Sequence, residues 1–312
     1  MPNIELRDFK HASSFRKIAA VAWDNPRDPT IYGMLEVRAE KLLAWIDLKR
    51  RETGQKITIT HCVARAVAIA IAKHPDVNAL VRWGKLQRRR DVDVFLQVAI
   101  QDEENVGKTD LSGFCVRNAD KKDVGEIAAE LRGAAKKIRK GDDADFERTK
   151  GQAELIPGFV YRWLLGIIEF LQYTLNIDTA FLGAPRDPFG SAMVTSLGMM
   201  GVRTAWAPFF PLARTAMIVL VGTVEDKPVV EDGAIVARKL LALNGTFDHR
   251  VIDGFHAAKL SRELQLMLEN PHMLEFADER DHMLGDADAT TDLPTLDLDT
   301  AVAQDIEEHA EE

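Results

Sequence analysis

A histidine placed four residues before an Asp-Gly pair is the pattern in this sequence best suited to chemistry. His249 follows the apolar run Lys239–Asn244, and an amphipathic run begins after Asp253. We therefore expect His249 to lie where a strand ends and a helix begins, a position from which a side chain can project into a cleft. Imidazole suits the removal of a proton from a thiol or hydroxyl near neutral pH. Asp253 is expected to cap the N–H groups at the start of the helix, where Gly254 permits close backbone approach.

The pattern His-x-x-x-Asp-Gly is short, so a second interpretation of His249 stays open at this point. A lone histidine is often held in a protein core by hydrogen bonds and does no chemistry. The flanking Asp248 and Arg250, together with Asp253, supply partners that could orient the ring, and this favours the chemical interpretation. No histidines show metal-ligand spacing supported by cysteines or carboxylates, so we predict no metal site. The sequence also lacks a dinucleotide fingerprint, a phosphate-binding loop and a Gly-x-Ser-x-Gly elbow.

The charge of the chain is concentrated at one end. The formal net charge is −9 over 312 residues, but residues 278–312 contain thirteen acidic residues and one Arg, a net −12. The remainder therefore carries about +3, which argues against a nucleic-acid-binding protein and is compatible with an anionic small substrate. Two cysteines, Cys62 and Cys115, form no disulfide framework and favour a reducing compartment. With no signal-peptide pattern at the N-terminus, we expect a cytoplasmic protein.

The elements that must position His249 follow from apolar periodicity. The spacing of apolar residues predicts helices at residues 13–23, Ala39–Thr53, Thr58–His74 and Val124–Lys140. It predicts strands at Ile31–Val37, Asp91–Gln101, Leu111–Val116, Ala192–Leu197, Ala216–Val224 and Ala234–Leu243. Asp226–Gly233 is expected to be a hairpin-like connection. Residues 1–280 thus read as one α+β domain, followed by an acidic, disordered tail at 281–312.

The apolar segment Glu154–Ile177 has three possible roles. Its length approaches the roughly 20 apolar residues of a membrane span, but Arg162, Glu169 and Gln172 would be costly in lipid. A membrane role is therefore disfavoured. A buried or subunit-interface helix is the preferred interpretation, and a lid over a pocket is the alternative.

Several motifs in one order resemble the catalytic domain of the dihydrolipoamide acyltransferases of 2-oxoacid dehydrogenase complexes. The two specific motifs are Asp-His-Arg-Val-Ile-Asp-Gly at 248–254 and Thr-Ser-Leu-Gly-Met-Met-Gly at 195–201. Weaker similarities lie at residues 16–19, 73–79 and 116–123, so the resemblance covers roughly residues 13–275. That family shares its fold with chloramphenicol acetyltransferase. The resemblance thus implies an α+β, two-layer, mixed β-sheet with helices packed on one face.

The resemblance also implies a mechanism. His249 would be the general base that takes the proton from the thiol of coenzyme A or dihydrolipoamide. Thr195 matches the family's serine that donates a hydrogen bond to the oxyanion, and Ser196 could serve instead. Asp253 would orient the site, with Arg16 as its partner. The family forms its site between subunits of a trimer, so a homotrimer or a larger cage is implied, with coenzyme A as substrate.

Three departures from the family leave the substrates open. We find no lipoyl or subunit-binding domain in this sequence, so any lipoyl group is expected on a separate partner protein of a 2-oxoacid dehydrogenase complex. Thr195-Ser196 replaces the family's Ser-Asn, and the segment 152–188 has no counterpart in the family core. A chloramphenicol-type O-acetyltransferase and a non-catalytic oligomeric scaffold therefore stay open as alternatives.

Overall fold

The computed structural model describes residues 28–101, 109–139, 157–179, 185–210 and 213–275. The strands in these ranges are β1 (Thr30–Arg38), β2 (Ala79–Arg82), β3 (Lys85–Arg88), β4 (Val94–Gln101), β5 (Thr109–Val116), β6 (Ala192–Ser196), β7 (Met217–Glu231) and β8 (Ala234–Asp248). The α-helices are α1 (Glu40–Thr53), α2 (Ile59–Lys73), α3 (Val124–Arg139), α4 (Gly158–Glu169) and α5 (Gly254–Glu269). The helix expected at 13–23, with Arg16, and the acidic tail at 281–312 lie outside the described residues.

Six of the strands form one mixed sheet in the order β1-β8-β7-β6-β4-β5. β6 pairs in parallel with β4 and β7, and the other pairings are antiparallel. Alternate side chains such as Val37, Val219 and Leu241 point to one face and join a single buried apolar cluster with α1, α2, α3 and α5. The prediction of a two-layer α+β fold with helices on one face is confirmed.

Helix α2 lies almost wholly in this core, as its run of Ala, Val and Ile predicts, and Cys62 is fully buried within it. Thr58 caps the helix, and the backbone N–H of Thr58 donates to Nδ1 of His61 at 3.1 Å. Burial, with the nearby Arg132 and Arg50, lowers the pKa of His61 to about 4. His61 is therefore a neutral capping residue at physiological pH.

The β7–β8 hairpin is longer than the sequence pattern suggests. The connection expected at Asp226–Gly233 is wrong, because β7 continues to Glu231 and only Asp232 and Gly233 form the turn. Both turn residues have positive φ, 49° and 80°, as the favoured Asp-Gly hairpin turn requires. The outer part of the hairpin alternates exposed and half-buried residues, but charged and apolar side chains occur on both faces. It therefore lacks the apolar alternation by which a half-buried strand is recognised.

The face of the sheet opposite the helices is crossed by the segment that follows β6. This segment lies directly on Gly222, where an added Cβ would come within 2.4 Å of the carbonyl oxygen of Arg203. Further on, the indole N–H of Trp206 donates to the carbonyl oxygen of Gly33 on β1 at 3.1 Å. The absence of a side chain at position 222 therefore allows this segment to pack against the sheet.

Helix α4 belongs to the apolar segment and continues as one π-helical turn, Phe170–Thr174. Trp163 and Phe170 on its surface are 70% and 48% exposed. Burial of this helix within one chain, the first form of the preferred interpretation, is therefore not seen in the described residues. No helix in the described ranges is long and apolar enough to cross a membrane.

Candidate active site

His249 lies where the sequence predicts it, between the end of β8 and the start of α5. Its backbone N–H donates to the carbonyl oxygen of Pro29 at 2.8 Å, which fixes the turn against the start of β1. The ring Nδ1 lies 3.2 Å from the carbonyl oxygen of Ile252. A carbonyl oxygen can only accept, so Nδ1 is the protonated nitrogen in this contact and Nε2 retains its lone pair. His249 is exposed as a residue in the single chain, although it does not itself line the neighbouring cavity.

The orientation of His249 does not come from its charged neighbours, contrary to the expectation from the sequence. Arg250 binds Asp248 through two contacts, Nε to Oδ1 at 2.9 Å and Nη2 to Oδ2 at 2.6 Å. This pairing raises the pKa of Arg250 and occupies both side chains. A backbone carbonyl orients the imidazole instead, and no residue pattern reveals such a contact in advance.

Asp253 caps helix α5, as predicted. Its Oδ1 accepts from the backbone N–H of His256 at 2.9 Å and lies 2.7 Å from Nδ1 of the His256 ring. The hydrogen bond from the His256 backbone, with a further contribution from the ring, lowers the pKa of the Asp253 carboxyl. We predict no role for His256 from the sequence, although its position three residues after a capping residue is the capping-box spacing. Arg16, the predicted partner of Asp253, lies outside the described residues.

Thr195 and Ser196 form the end of β6, which β7 separates from β8 and the His249 turn. Thr195 is buried on the face opposite the helices, and Ser196 is half-buried. Thr195 pairs with Leu220, which pairs with Asn244 on β8. His249 lies five residues beyond Asn244, so two strand spacings and five residue rises separate Thr195 from His249 by about 20 Å. One chain therefore does not bring the two predicted catalytic residues together.

A cavity of about 300 Å³ lies beside the His249 turn. Its wall is formed by the start of β1, by β2, by residues of 208–216 and by residues 248, 250 and 251. Much of this wall is apolar and includes Leu80, Val81, Phe209 and Phe210, and the guanidinium-bearing Arg214 also lines it. The cavity has the size and mixed lining of a site for a small organic group.

Most of the sequence is similar to one family of known proteins. Residues 13–153 and 189–275 match the profile of the 2-oxoacid dehydrogenases acyltransferase (catalytic domain) family, and residues 154–188 fall between the two matched parts. The dihydrolipoyllysine-residue acetyltransferase component of the acetoin cleaving system of Bacillus subtilis is 26% identical over 71% of this chain and 44% of its own length. The chain spans about half the length of the curated relatives it matches.

Solved structures share the fold. A probable dihydrolipoamide acetyltransferase from Listeria monocytogenes superposes with a TM-score of 0.57 at 20% identity, over 85% of this chain and 95% of that one. The cubic core of a pyruvate dehydrogenase multienzyme complex gives the same TM-score at 21% identity, over 88% and 99%. The match to the family profile extends over most of the sequence and includes both motifs around His249 and Thr195. The chain therefore belongs to the 2-oxoacid dehydrogenase acyltransferase family, of which it contains the catalytic domain.

Proposed function

We propose that this protein transfers an acyl group between coenzyme A and a dihydrolipoyl-type thiol. The observation that carries the proposal is the contact of His249 Nδ1 with the Ile252 carbonyl oxygen, which leaves the lone pair of the neutral ring on Nε2 of an exposed residue. Membership of an acyltransferase family supports this chemistry. The lipoyl group would be presented by a lipoyl domain of a 2-oxoacid dehydrogenase complex.

The proposed reaction begins with proton transfer from the acceptor thiol to Nε2 of His249. The thiolate sulfur attacks the thioester carbonyl carbon, a new carbon–sulfur bond forms, and the carbonyl electrons move to oxygen. The Thr195 hydroxyl, or that of Ser196, donates to the resulting oxyanion. Collapse of this intermediate breaks the original carbon–sulfur bond, and the leaving thiolate takes the proton back from the imidazolium. Asp253 holds the start of α5 and so the geometry of the turn.

The proposed site lies between two copies of the chain, because Thr195 and His249 are too far apart in one copy to act on the same carbonyl group. A homotrimer in which each copy offers His249 to its neighbour's Thr195 would form three such sites. Trimers could assemble further, as in the cubic core whose subunits share this fold.

The test is an acyl-transfer assay with acetyl-CoA and free dihydrolipoamide, run beside small hydroxylated acceptors. We expect thiol acceptors to be used and His249→Ala to lower turnover by about 100- to 10,000-fold, since general-base catalysis contributes that much. The variant should keep the wild-type oligomer by sedimentation. Near-normal turnover by His249→Ala would contradict the assigned base, and preference for hydroxyl acceptors would favour the O-acetyltransferase alternative.

A further inference from the structure

The segment that falls outside the family match is attached at the end of the sheet that carries His249. Ala192, Met217 and Phe247 are paired across β6, β7 and β8 and form one row at this end. Asp187, near the end of the segment, precedes Ala192 by five residues, and His249 follows Phe247 by two. The segment is therefore anchored near the cavity beside the His249 turn.

Glu169, at the end of α4, makes an ion pair with Arg214 in the cavity wall. The contact joins a carboxylate oxygen of Glu169 to Nη2 of Arg214, and the two side chains are 24% and 33% exposed. Partial burial weakens screening by solvent, so this pair is held more firmly than a surface ion pair. The inserted helix thus controls the direction and the charge of one cavity-lining side chain.

The other end of the segment holds the backbone of the same residue. Arg89 Nη1 donates to the carbonyl oxygen of Arg214 at 3.2 Å, and the Arg89 guanidinium binds both carboxylate oxygens of Asp187 at 3.1 Å. The hydroxyl of Tyr173 donates to the same carboxylate at 3.1 Å. Burial raises the pKa of Tyr173, so this hydroxyl remains a donor over the physiological range. Arg214 is therefore fixed by its side chain and, through Arg89, by its backbone.

Because of these contacts, each cationic side chain among the described residues that line the cavity is paired with a carboxylate. Glu169 neutralises Arg214, Asp248 neutralises Arg250, and Asp28 adds a carboxylate to the wall. Most of the remaining lining residues are apolar, and Thr30, Tyr32 and Thr215 add uncharged hydroxyl groups. A volume of about 300 Å³ equals the space of roughly ten water molecules, which is more than an acetyl group fills.

We propose that this cavity receives a neutral, apolar acyl group larger than acetyl, and that Glu169 is the positioning residue that sets this selectivity. By holding Arg214, Glu169 prevents the guanidinium from binding an acyl group that carries its own carboxylate. The inference rests on the proposed acyl transfer and adds to it the class of acyl group. Loss of the Glu169 charge should release Arg214 for bidentate binding of a carboxylate.

The experiment compares acetyl-CoA, isobutyryl-CoA and succinyl-CoA as donors to dihydrolipoamide. We expect the wild-type protein to prefer isobutyryl-CoA. In Glu169→Gln, the ratio of kcat/KM for succinyl-CoA to that for isobutyryl-CoA should rise about tenfold, mainly through the KM for succinyl-CoA, as expected for one added charge-assisted contact. The double variant Glu169→Gln with Arg214→Met should lose this gain, because the cation is gone.

The matched control is Glu52→Gln, which removes a carboxylate paired with Lys49 on α1, outside the cavity lining. It should leave the ratio unchanged. An unchanged ratio in Glu169→Gln, with acetyl transfer intact, would overturn the inference but leave the proposed function standing. A change confined to the KM for dihydrolipoamide would also overturn the inference about the acyl group. Absence of acyl transfer by the wild-type protein with every donor would instead refute the proposed function, and the inference with it.

If Glu169→Gln fails to fold, charge exchange provides a second route. The pair Glu169→Arg with Arg214→Glu should restore folding, retain the preference for isobutyryl-CoA and reject succinyl-CoA as strongly as the wild-type protein. Acceptance of succinyl-CoA by the exchanged pair would contradict the role assigned to the charge at position 214.

Discussion

The Cα atoms of Thr195 and His249 lie about 20 Å apart in one chain, since two strand spacings and five residue rises separate them. Both are held in place, because Thr195 is buried near the end of β6 and the turn at His249 is bound to Pro29. A rearrangement within one chain that joined them would have to break the sheet. If both act on one carbonyl group, they must come from different copies.

This separation predicts complementation between two inactive variants. Co-assembly of His249→Ala chains with Thr195→Val chains should restore activity, because some interfaces combine an intact histidine with an intact threonine. Random mixing of equal amounts should give about one quarter of the wild-type sites. The measurement is acyl transfer after joint refolding of the two chains. Failure to regain activity, with mixed oligomers shown by mass spectrometry, would contradict a shared site.

A second prediction decides which hydroxyl stabilises the oxyanion. Thr195→Val keeps the shape of the side chain but removes its donor, and we expect kcat to fall by about 100- to 1,000-fold. Thr195→Ser should retain most of the activity. Ser196→Ala serves as the matched control and should have a small effect. The reverse order of losses would assign the role to Ser196.

The cap of helix α5 allows the stability role of Asp253 to be separated from a catalytic role. Asp253→Ala removes the acceptor for the His256 N–H and should lower the free energy of unfolding. Asparagine is also a good capping residue, so Asp253→Asn should retain most of the stability. If the carboxylate charge orients the site, Asp253→Asn should nevertheless lose activity. Equal activity in Asp253→Asn and wild type would limit this residue to capping.

The lowered pKa of buried His61 leads us to expect that the protein loses stability in mild acid. Its folded-state pKa of about 4 lies below the value near 6.5 of an unfolded histidine, so the unfolded chain binds the extra proton between these pH values. The stability from the neutral ring is complete above pH 6.5 and is lost as the pH falls toward 4. Between pH 7 and pH 5 this amounts to about 2 kcal/mol.

The variant His61→Gln isolates this contribution, because glutamine also accepts the Thr58 N–H in a capping box but does not titrate. Urea unfolding at pH 7 and pH 5 should show a smaller loss of stability in the variant than in the wild-type protein. Equal losses in the two proteins would show that His61 does not set the acid response.

Much of the fold could be predicted from the sequence because periodicity reports directly on the sheet and the core. The apolar run of α2 indicated its burial, and the strand end before His249 followed from the run that ends at Asn244. The prediction was wrong where apolar periodicity carries no information. In the outer part of β7, charged side chains occur on both the exposed and the half-buried face, so nothing in the side-chain pattern marked Asp226–Glu231 as a strand.

The position of His249 at the start of α5 and the capping role of Asp253 could be predicted from spacing. The contact that orients the imidazole could not, because the Ile252 carbonyl is a backbone group common to every residue. Likewise, the link from Glu169 to Arg214 joins positions 45 residues apart in sequence. Such a contact depends on tertiary packing, which a single sequence does not reveal.

The bond between Nδ1 of His249 and the Ile252 carbonyl has a practical consequence for engineering. The partner is a main-chain atom, so no side-chain replacement at position 252 deletes it, provided that the turn keeps its shape. If the cavity receives the acyl group as proposed, its wall at Leu80, Val81 or Phe210 can be varied to admit new acyl groups while the tautomer of His249 stays the same. Substrate range and the proposed base would then be set by separable parts of the chain.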